Sequence, residues 1–96
     1  MKPSVLLQQH RVEILEAASR FAVINPRIFG SILNGQDTEG SDLDLLVDAP
    51  PGTTLFDLGG LQSELEDMLG IPVDLLTPGD LPRKFRDQIL AEALPV

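Results

Sequence analysis

The chain is 96 residues long and has 15 acidic against 7 basic side chains, which gives a net charge of −8. Apolar residues make up 43% and charged residues 23%, a composition typical of one folded soluble domain, which we expect to span residues 1–96. The absence of cysteine and the single histidine exclude disulfides, thiolate zinc sites and multi-histidine metal sites within one chain.

The acidic charge also restricts the partners. A protein that binds duplex nucleic acid needs a basic surface to displace counterions, so we expect no direct duplex binding. Two partner classes remain: a basic protein surface, or a phosphate ligand held through divalent metal. No apolar stretch approaches the roughly 20 residues of a membrane span, and no basic, apolar leader opens the sequence. We therefore expect a cytoplasmic protein without membrane contact.

The first part of the chain is predicted as a helix, a strand and a second, short helix. Apolar residues at three- and four-residue steps predict a helix over 4–21, capped by Ser4 and followed by a stop at Asn25-Pro26. The apolar run 27–29 predicts a short strand, which turns at Gly30-Ser31 into a short helix.

The rest of the chain alternates strands and helices. The predicted elements are a polar loop over 34–41, a strand over 42–47, a helix over 55–69, a strand over 72–76 and a helix from Asp80 to Leu94. Thr54 is the predicted cap of the 55–69 helix, Gly70 ends it, and Gly59-Gly60 weaken it by about 1 kcal/mol per glycine. This order predicts an α/β or α+β domain with one small sheet.

Asp42 and Asp44 are the first candidate functional residues. They lie two apart in a predicted strand, so both carboxylates project from one face, about 6.5–7 Å apart along the backbone. A divalent cation would remove their mutual repulsion, and Mg²⁺ is typically bound by carboxylates together with substrate phosphates. Two such ions about 3.5–4 Å apart can stabilise both the attacking and the leaving oxygen in phosphoryl chemistry. The pair alone also fits an ordinary solvated strand face.

Two further features reinforce this pair. Asp74 lies in another apolar strand and joins the pair if the two strands are neighbours, although by itself it also fits an edge residue that discourages sheet pairing. Gly30-Ser31 offers backbone N–H groups, a hydroxyl and a helix N-terminus to an anion. Alone, the two residues also fit a simple turn with a capping serine.

The spacing of these residues resembles a known family. Gly30-Ser31, ten residues and then Asp42-x-Asp44 form the G-S-x10-D-x-D signature of the polymerase-beta-like nucleotidyltransferases. The stretch 41–47, Asp74 in a Val-Asp-Leu strand and the closing segment 86–93 are similar to the small stand-alone branch, the minimal nucleotidyltransferases or MNT domains. The resemblance covers nearly the whole chain and implies a small mixed β-sheet backed by helices.

The resemblance also implies a role for each candidate residue. Asp42 and Asp44 would bind Mg²⁺, two ions in all, shared with ATP as substrate. Asp74 would complete the metal site and help to deprotonate the acceptor hydroxyl. Gly30 and Ser31 would bind the β- and γ-phosphates. The reaction implied is in-line attack by a hydroxyl on the α-phosphorus of ATP, with pyrophosphate leaving.

The loop after the Gly-Ser pair departs from the family pattern. Many relatives carry an arginine shortly after the pair, whereas Ser31 is here followed by Ile32-Leu33-Asn34-Gly35. The loop contains Asp37 and Glu39 and no basic residue. This predicts extra negative charge beside a bound triphosphate and weaker nucleotide binding, with the metal ligands unaffected.

Three functions follow as hypotheses. The resemblance to the MNT branch implies a helical HEPN-domain toxin, an RNase, as the partner, which such proteins silence by transferring AMP to a tyrosine hydroxyl. The leading hypothesis is therefore an antitoxin of this kind. The acidic charge of the chain suits a basic partner. The second is a non-catalytic binding module that inhibits its partner by occlusion. The third, an aminoglycoside adenylyltransferase, normally requires an additional helical domain. The apolar stripes of the first and last helices predict a protein interface and leave the oligomeric state open.

Overall fold

A computed structural model of residues 1–96 shows a four-stranded sheet and four helices. The helices are α1 (Pro3–Gln9), α2 (Arg11–Arg20), α3 (Leu55–Leu69) and α4 (Arg86–Glu92), and the strands are β1 (Ile24–Ile28), β2 (Leu43–Asp48), β3 (Val73–Leu76) and β4 (Leu94–Pro95). The strand order is β3-β2-β1-β4, with β2 and β3 parallel and the other neighbours antiparallel. The predicted small mixed sheet is confirmed. No helix is both long and apolar enough to cross a membrane.

The unit β2–α3–β3 forms the centre of the fold. Alternate side chains of β2, at Leu43, Leu45 and Val47, are at most 1% exposed and belong to the main core. Because successive side chains of a strand point to opposite faces, Asp44 and Asp48 project from the other face. The remaining residues of the main core are Leu7, Ile14, Ala17, Ala18, Val23, Leu61, Leu65, Leu69 and Val73.

Helix α3 begins and ends where the sequence predicts. The Thr54 hydroxyl accepts a hydrogen bond from the Asp57 N–H at 3.1 Å, and the Asp57 carboxylate accepts one from the Thr54 N–H at 2.9 Å. This reciprocal pair is a capping box, which satisfies two N–H groups at the start of the helix. Gly70 ends the helix with a φ of +71°, a left-handed conformation that glycine adopts without steric cost.

The two glycines inside α3 have different surroundings. A Cβ at Gly60 would lie 2.7 Å from Cε1 of Phe21, whereas a Cβ at Gly59 would meet nothing within 4 Å. We expect Gly59→Ala to raise the free energy of unfolding by about 0.5–1 kcal/mol through helix propensity. Gly60→Ala should lower it by about 1–3 kcal/mol, because the ring of Phe21 must move. Urea unfolding of both variants measures this difference, and shifts of equal sign would contradict it.

The first predicted helix is divided in two, and its predicted cap is wrong. The chain leaves helical geometry at His10, with φ −116° and ψ 19°, and nothing in the local sequence explains the break. Lys2 occupies the N-cap, and Pro3 takes the first helical position, where its fixed φ fits and its missing N–H costs nothing. The Ser4 N–H is satisfied from a distant loop, by the carboxylate of Asp37.

The strand before the Gly-Ser pair begins earlier than predicted. Asn25 and Pro26, predicted as the stop of the preceding helix, lie inside β1, whose register with β2 shifts between Ile24 and Arg27. Such a bulge tolerates a proline, which has no N–H to donate to the sheet. Asn25 has a φ of +53°, and asparagine is among the residues that enter this left-handed region most readily.

A polar cluster of Asn25, Arg27 and Asp48 stabilises this bulge at the end of β2. Asp48 accepts hydrogen bonds from Nδ2 of Asn25 at 3.0 Å and from Nη2 of Arg27 at 2.7 Å. The hydrogen bond from Asn25, supported by the hydrogen bond and charge of Arg27, holds the pKa of Asp48 below its ordinary value of 3.8. The ionised carboxylate therefore stabilises the folded state at neutral pH.

This cluster predicts a specific loss of stability in acid. Because the pKa of Asp48 is lower in the folded than in the unfolded chain, its contribution is present above 3.8 and is lost as the pH falls through the folded value. Asp48→Asn removes this titration, so its free energy of unfolding should fall less than that of the wild type between about pH 5 and about pH 2. Denaturant unfolding at a series of pH values tests the expectation, and parallel profiles for the two proteins would contradict it.

The C-terminal segment differs most from its prediction as a helix from Asp80 to Leu94. Asp80 is the last residue of a short 3-10 turn that starts at Pro78, and α4 begins only at Arg86. Leu94 is not helical and lies in β4, opposite Ile28 of β1. At Leu94 the prediction fails because β4 exists only through this pairing with a strand far away in the sequence.

Candidate active site

The central strands place two carboxylates side by side. The parallel register of β2 and β3 pairs Asp44 with Asp74, so both side chains leave the same face of neighbouring strands. Neighbouring strands lie about 4.8 Å apart, which brings the two carboxylates within range of a shared ligand. Asp44 is half-buried, and Asp74 is exposed.

Asp42 is the third acid, and it stands slightly apart. It immediately precedes β2, is exposed, and lies close enough for its charge to act on Asp44. The structure nevertheless contains no group of three His, Cys, Asp or Glu side chains placed to hold one metal ion. The sequence predicts that three carboxylates converge. In the structure, Asp44 and Asp74 are adjacent, and Asp42 lies near them.

Asp44 lies in an electrostatically unfavourable environment. Burial, followed by the negative charges of Asp74 and Asp42, raises the pKa of Asp44 above its ordinary value of 3.8. None of the ion pairs in the structure involves any of these carboxylates. Unpaired carboxylate oxygens of this kind suit a divalent cation such as Mg²⁺, which usually takes one or two carboxylates and completes its shell with water and substrate phosphates.

Gly30 closes the site on the side of β1. The N–H of the preceding residue, Phe29, donates a hydrogen bond to the Asp44 carbonyl at 3.3 Å, so the chain at Gly30 lies against β2. A Cβ at Gly30 would overlap Oδ2 of Asp44 and would lie 3.1 Å from its Cγ. Its φ of +78° also belongs to the left-handed region. Space and backbone conformation together require glycine at this position.

The short helix predicted after Gly30-Ser31 is wrong. The chain from Gly30 to Gly35 forms turns, in which the Gln36 N–H donates to the Ser31 carbonyl at 2.9 Å. Gly30 and Gly35 both have positive φ, which is incompatible with a right-handed helix. The residues between them, 31–34, are too few to form one. Anion binding at Ser31 therefore cannot draw on a helix dipole and depends on the N–H groups of the turn and the Ser31 hydroxyl.

The loop acid Asp37 is directed at α1. It is 6% exposed, and its Oδ2 accepts a hydrogen bond from the Ser4 N–H at 2.9 Å. Hydrogen bonding to Ser4 lowers the pKa of Asp37 below 3.8. The sequence predicts that Asp37 adds negative charge beside a bound triphosphate. In the structure, its carboxylate is instead buried and hydrogen-bonded to α1. No local signal predicts this contact, because the two residues are 33 positions apart.

Similarity to known proteins extends along most of the chain. The profile of the nucleotidyltransferase domain family matches residues 11–96. A Methanocaldococcus jannaschii protein, provisionally named protein adenylyltransferase MJ0435, is 38% identical over 84 residues, which are 88% of this chain and 90% of that protein. A solved structure described provisionally as a minimal nucleotidyltransferase superimposes with a TM-score of 0.86 at 38% identity, covering 97% of this chain and 95% of that one. The chain belongs to the minimal nucleotidyltransferases.

Two further matches of this minimal nucleotidyltransferase are a protein adenylyltransferase and a toxin–antitoxin complex. Protein adenylyltransferase MntA of Thermococcus cleftensis is 34% identical over 91 residues, 95% of this chain and 89% of that protein. A crystal structure of a toxin–antitoxin complex with AMP-PNP matches with a TM-score of 0.72 at 20% identity, covering 88% of this chain and 69% of that one. At this identity, the structural likeness shows the fold alone.

Proposed function

We propose that this minimal nucleotidyltransferase transfers AMP from ATP to a tyrosine hydroxyl of a HEPN-type toxin and thereby acts as its antitoxin. The observation on which the proposal depends is the position of Asp44, which is paired in register with Asp74 and lies against the glycine turn at Gly30. Carboxylates beside backbone donors form the kind of preorganised polar site that nucleotidyl transfer needs. The relatives named protein adenylyltransferases support a protein acceptor, and the related fold solved with AMP-PNP in a toxin–antitoxin complex supports the nucleotide and the partner.

Each step of the proposed reaction is assigned to a group of this chain. The acceptor oxygen forms a bond to the α-phosphorus as the bond to the bridging α–β oxygen breaks, and pyrophosphate leaves. Gly30 and Ser31 orient the β- and γ-phosphates through the turn N–H groups and the hydroxyl. Asp74, the exposed member of the strand pair, receives the proton of the acceptor hydroxyl. Asp42, Asp44 and Asp74 would hold two Mg²⁺ ions, which supply positive charge to the triphosphate.

The charge of the chain supports the choice of partner. At a net charge of −8, it would be drawn to a basic protein, and an RNase that binds RNA presents a basic surface. We place the reaction in the cytoplasm, where ATP and such an RNase are both present.

The test is to incubate the protein with ATP, Mg²⁺ and the product of the adjacent gene, and then to measure the mass of that partner. We expect the partner to gain one or more AMP groups, located on tyrosine by fragmentation. Chelation of the metal, or replacement of the modified tyrosine by phenylalanine, should prevent the gain. A partner that inhibits growth and yet gains no mass under these conditions would contradict the proposal.

A second candidate, inhibition by occlusion without catalysis, is favoured by one observation. The carboxylates do not form a complete metal cage, and the stretch 31–41 contains no lysine or arginine. The double variant Asp42→Asn and Asp44→Asn separates the two functions, because it retains the shape of the surface and loses the carboxylates. Undiminished inhibition of the partner by this variant would favour occlusion, and complete loss of inhibition would favour AMP transfer.

A further inference from the structure

We infer that Asp37 is a positioning residue for nucleotide binding. Its carboxylate, anchored at the first turn of α1, holds the loop 30–42 in the conformation that receives a triphosphate. The inference rests on the proposed function for the identity of the ligand, but it concerns binding of the nucleotide and does not require transfer of AMP.

The loop 30–42 connects both halves of the proposed site with little structure of its own. It contains no helix or strand, and its internal hydrogen bonds include the one from Gln36 to Ser31 and one from the Thr38 N–H to Oγ of Ser41 at 2.9 Å. Gly30-Ser31 stands at its start, and Asp42 stands at its end. A displacement of the loop that reaches its start would therefore move the proposed phosphate donors relative to the carboxylates.

Asp37 is the point at which this loop enters the protein interior. It is the one charged residue of the chain that is buried, whereas its neighbours Gln36 and Thr38 are exposed. A buried carboxylate is costly unless it is hydrogen-bonded, so its contact with the Ser4 N–H strongly favours one arrangement of the loop.

Helix α1 is a firm attachment for the loop. Its Leu7 belongs to the main core, and Pro3, next to Ser4, is buried. A loop attached to a packed helix loses less conformational entropy when a ligand binds than a free loop does. Asp37 should therefore affect the affinity for nucleotide more than the rate of the chemical step.

The experiment measures binding of Mg²⁺·AMP-PNP by calorimetry to the wild type and three variants. Asp37→Ala removes the acceptor and should weaken binding about tenfold, whereas Asp37→Asn keeps an oxygen for the Ser4 N–H and should remain within about threefold of the wild type. Asp48→Asn is the matched control, because it disrupts a hydrogen-bonded carboxylate at the far end of β2 and should leave affinity unchanged. In turnover, Asp37→Ala should raise the KM for ATP about tenfold and change kcat less than about twofold.

Hydrogen exchange provides a readout if Asp37→Ala is too unstable to handle. In Asp37→Asn, the amides of Ser4 and of the loop 30–42 should exchange faster than in the wild type, by no more than about threefold, because an amide oxygen still accepts the hydrogen bond but is a weaker acceptor than a carboxylate. The amides of β2 should be unchanged. A loop that exchanges as slowly as in the wild type would overturn the inference.

The outcomes separate this inference from the proposed function. Equal affinity of the wild type and Asp37→Ala, or an equal loss in Asp48→Asn, overturns the inference and leaves the proposed function standing. A wild type whose binding depends on Asp37 but which transfers no AMP overturns the proposed function alone. A wild type that does not bind AMP-PNP overturns both.

Discussion

Asp44→Asn should abolish AMP transfer while making the folded protein more stable. Loss of the metal ligand that we propose at Asp44 would remove several kcal/mol of transition-state stabilisation, so we expect kcat/KM to fall by about 10³-fold or more. The free energy of unfolding without metal or nucleotide should rise at neutral pH, because burial and the charges of Asp74 and Asp42 oppose ionisation of Asp44. Transfer of radiolabelled AMP and urea unfolding measure the two effects.

Asp48→Asn is the control for this experiment. Asp48 lies on the same strand and the same face as Asp44, but its carboxylate is hydrogen-bonded by Asn25 and Arg27. Its replacement should therefore lower stability and leave AMP transfer intact, the reverse of both effects at Asp44. An Asp44→Asn protein that keeps more than about a tenth of wild-type activity would show that the carboxylate is not an essential ligand.

Gly30→Ala should have the second largest effect. The added methyl group would overlap the Asp44 carboxylate and would be held at a φ of +78°, so the turn and Asp44 cannot both keep their positions. We expect AMP transfer to fall by about 10²-fold or more, because small displacements of reacting groups are costly. The free energy of unfolding should fall by about 1–3 kcal/mol through backbone strain. Activity and urea unfolding are measured on the same preparation.

Gly52→Ala distinguishes the effect of backbone strain at a positive φ from the effect of displacing Asp44. Gly52 has a φ of +100°, but a Cβ there would meet no atom within 4 Å. It lies between β2 and α3 and follows Asp48, the residue at the end of β2 that is far from Asp44. This variant should lose stability and retain activity; if both variants lost activity equally, the contact between Gly30 and Asp44 would not be the cause.

Asp37 in the loop and Asp44 in β2 are both removed from solvent, but their negative charges have different surroundings. The charge of Asp37 is compensated by hydrogen bonding to Ser4, which lowers its pKa. Asp44 has no such partner, and its pKa is raised by burial and by neighbouring acids. Uncompensated charge in a partly buried position costs stability and is a common property of functional sites, where a ligand supplies the missing charge.

The predictions that succeeded depend on short stretches of sequence. The cap at Thr54 and the end at Gly70 were predictable because each uses residues within one turn of the helix. Strand β2 was predictable because it is a short, mostly apolar run that is followed by the turn residues of the 49–52 segment. The roles assigned to Gly30, Ser31 and the three acids remain predictions, and the variants above test those of Gly30, Asp42 and Asp44.

By itself, the sequence determined the β2–α3–β3 unit, the family and the candidate residues, because hydrophobic alternation, helix caps and motif spacing are local properties of the chain. Only the tertiary structure decided the register that pairs Asp44 with Asp74, the contact of Gly30 with Asp44, strand β4 and the burial of Asp37 against α1. Each of these joins residues distant in sequence. Their energies depend on which surfaces meet when the chain closes, which no local pattern specifies.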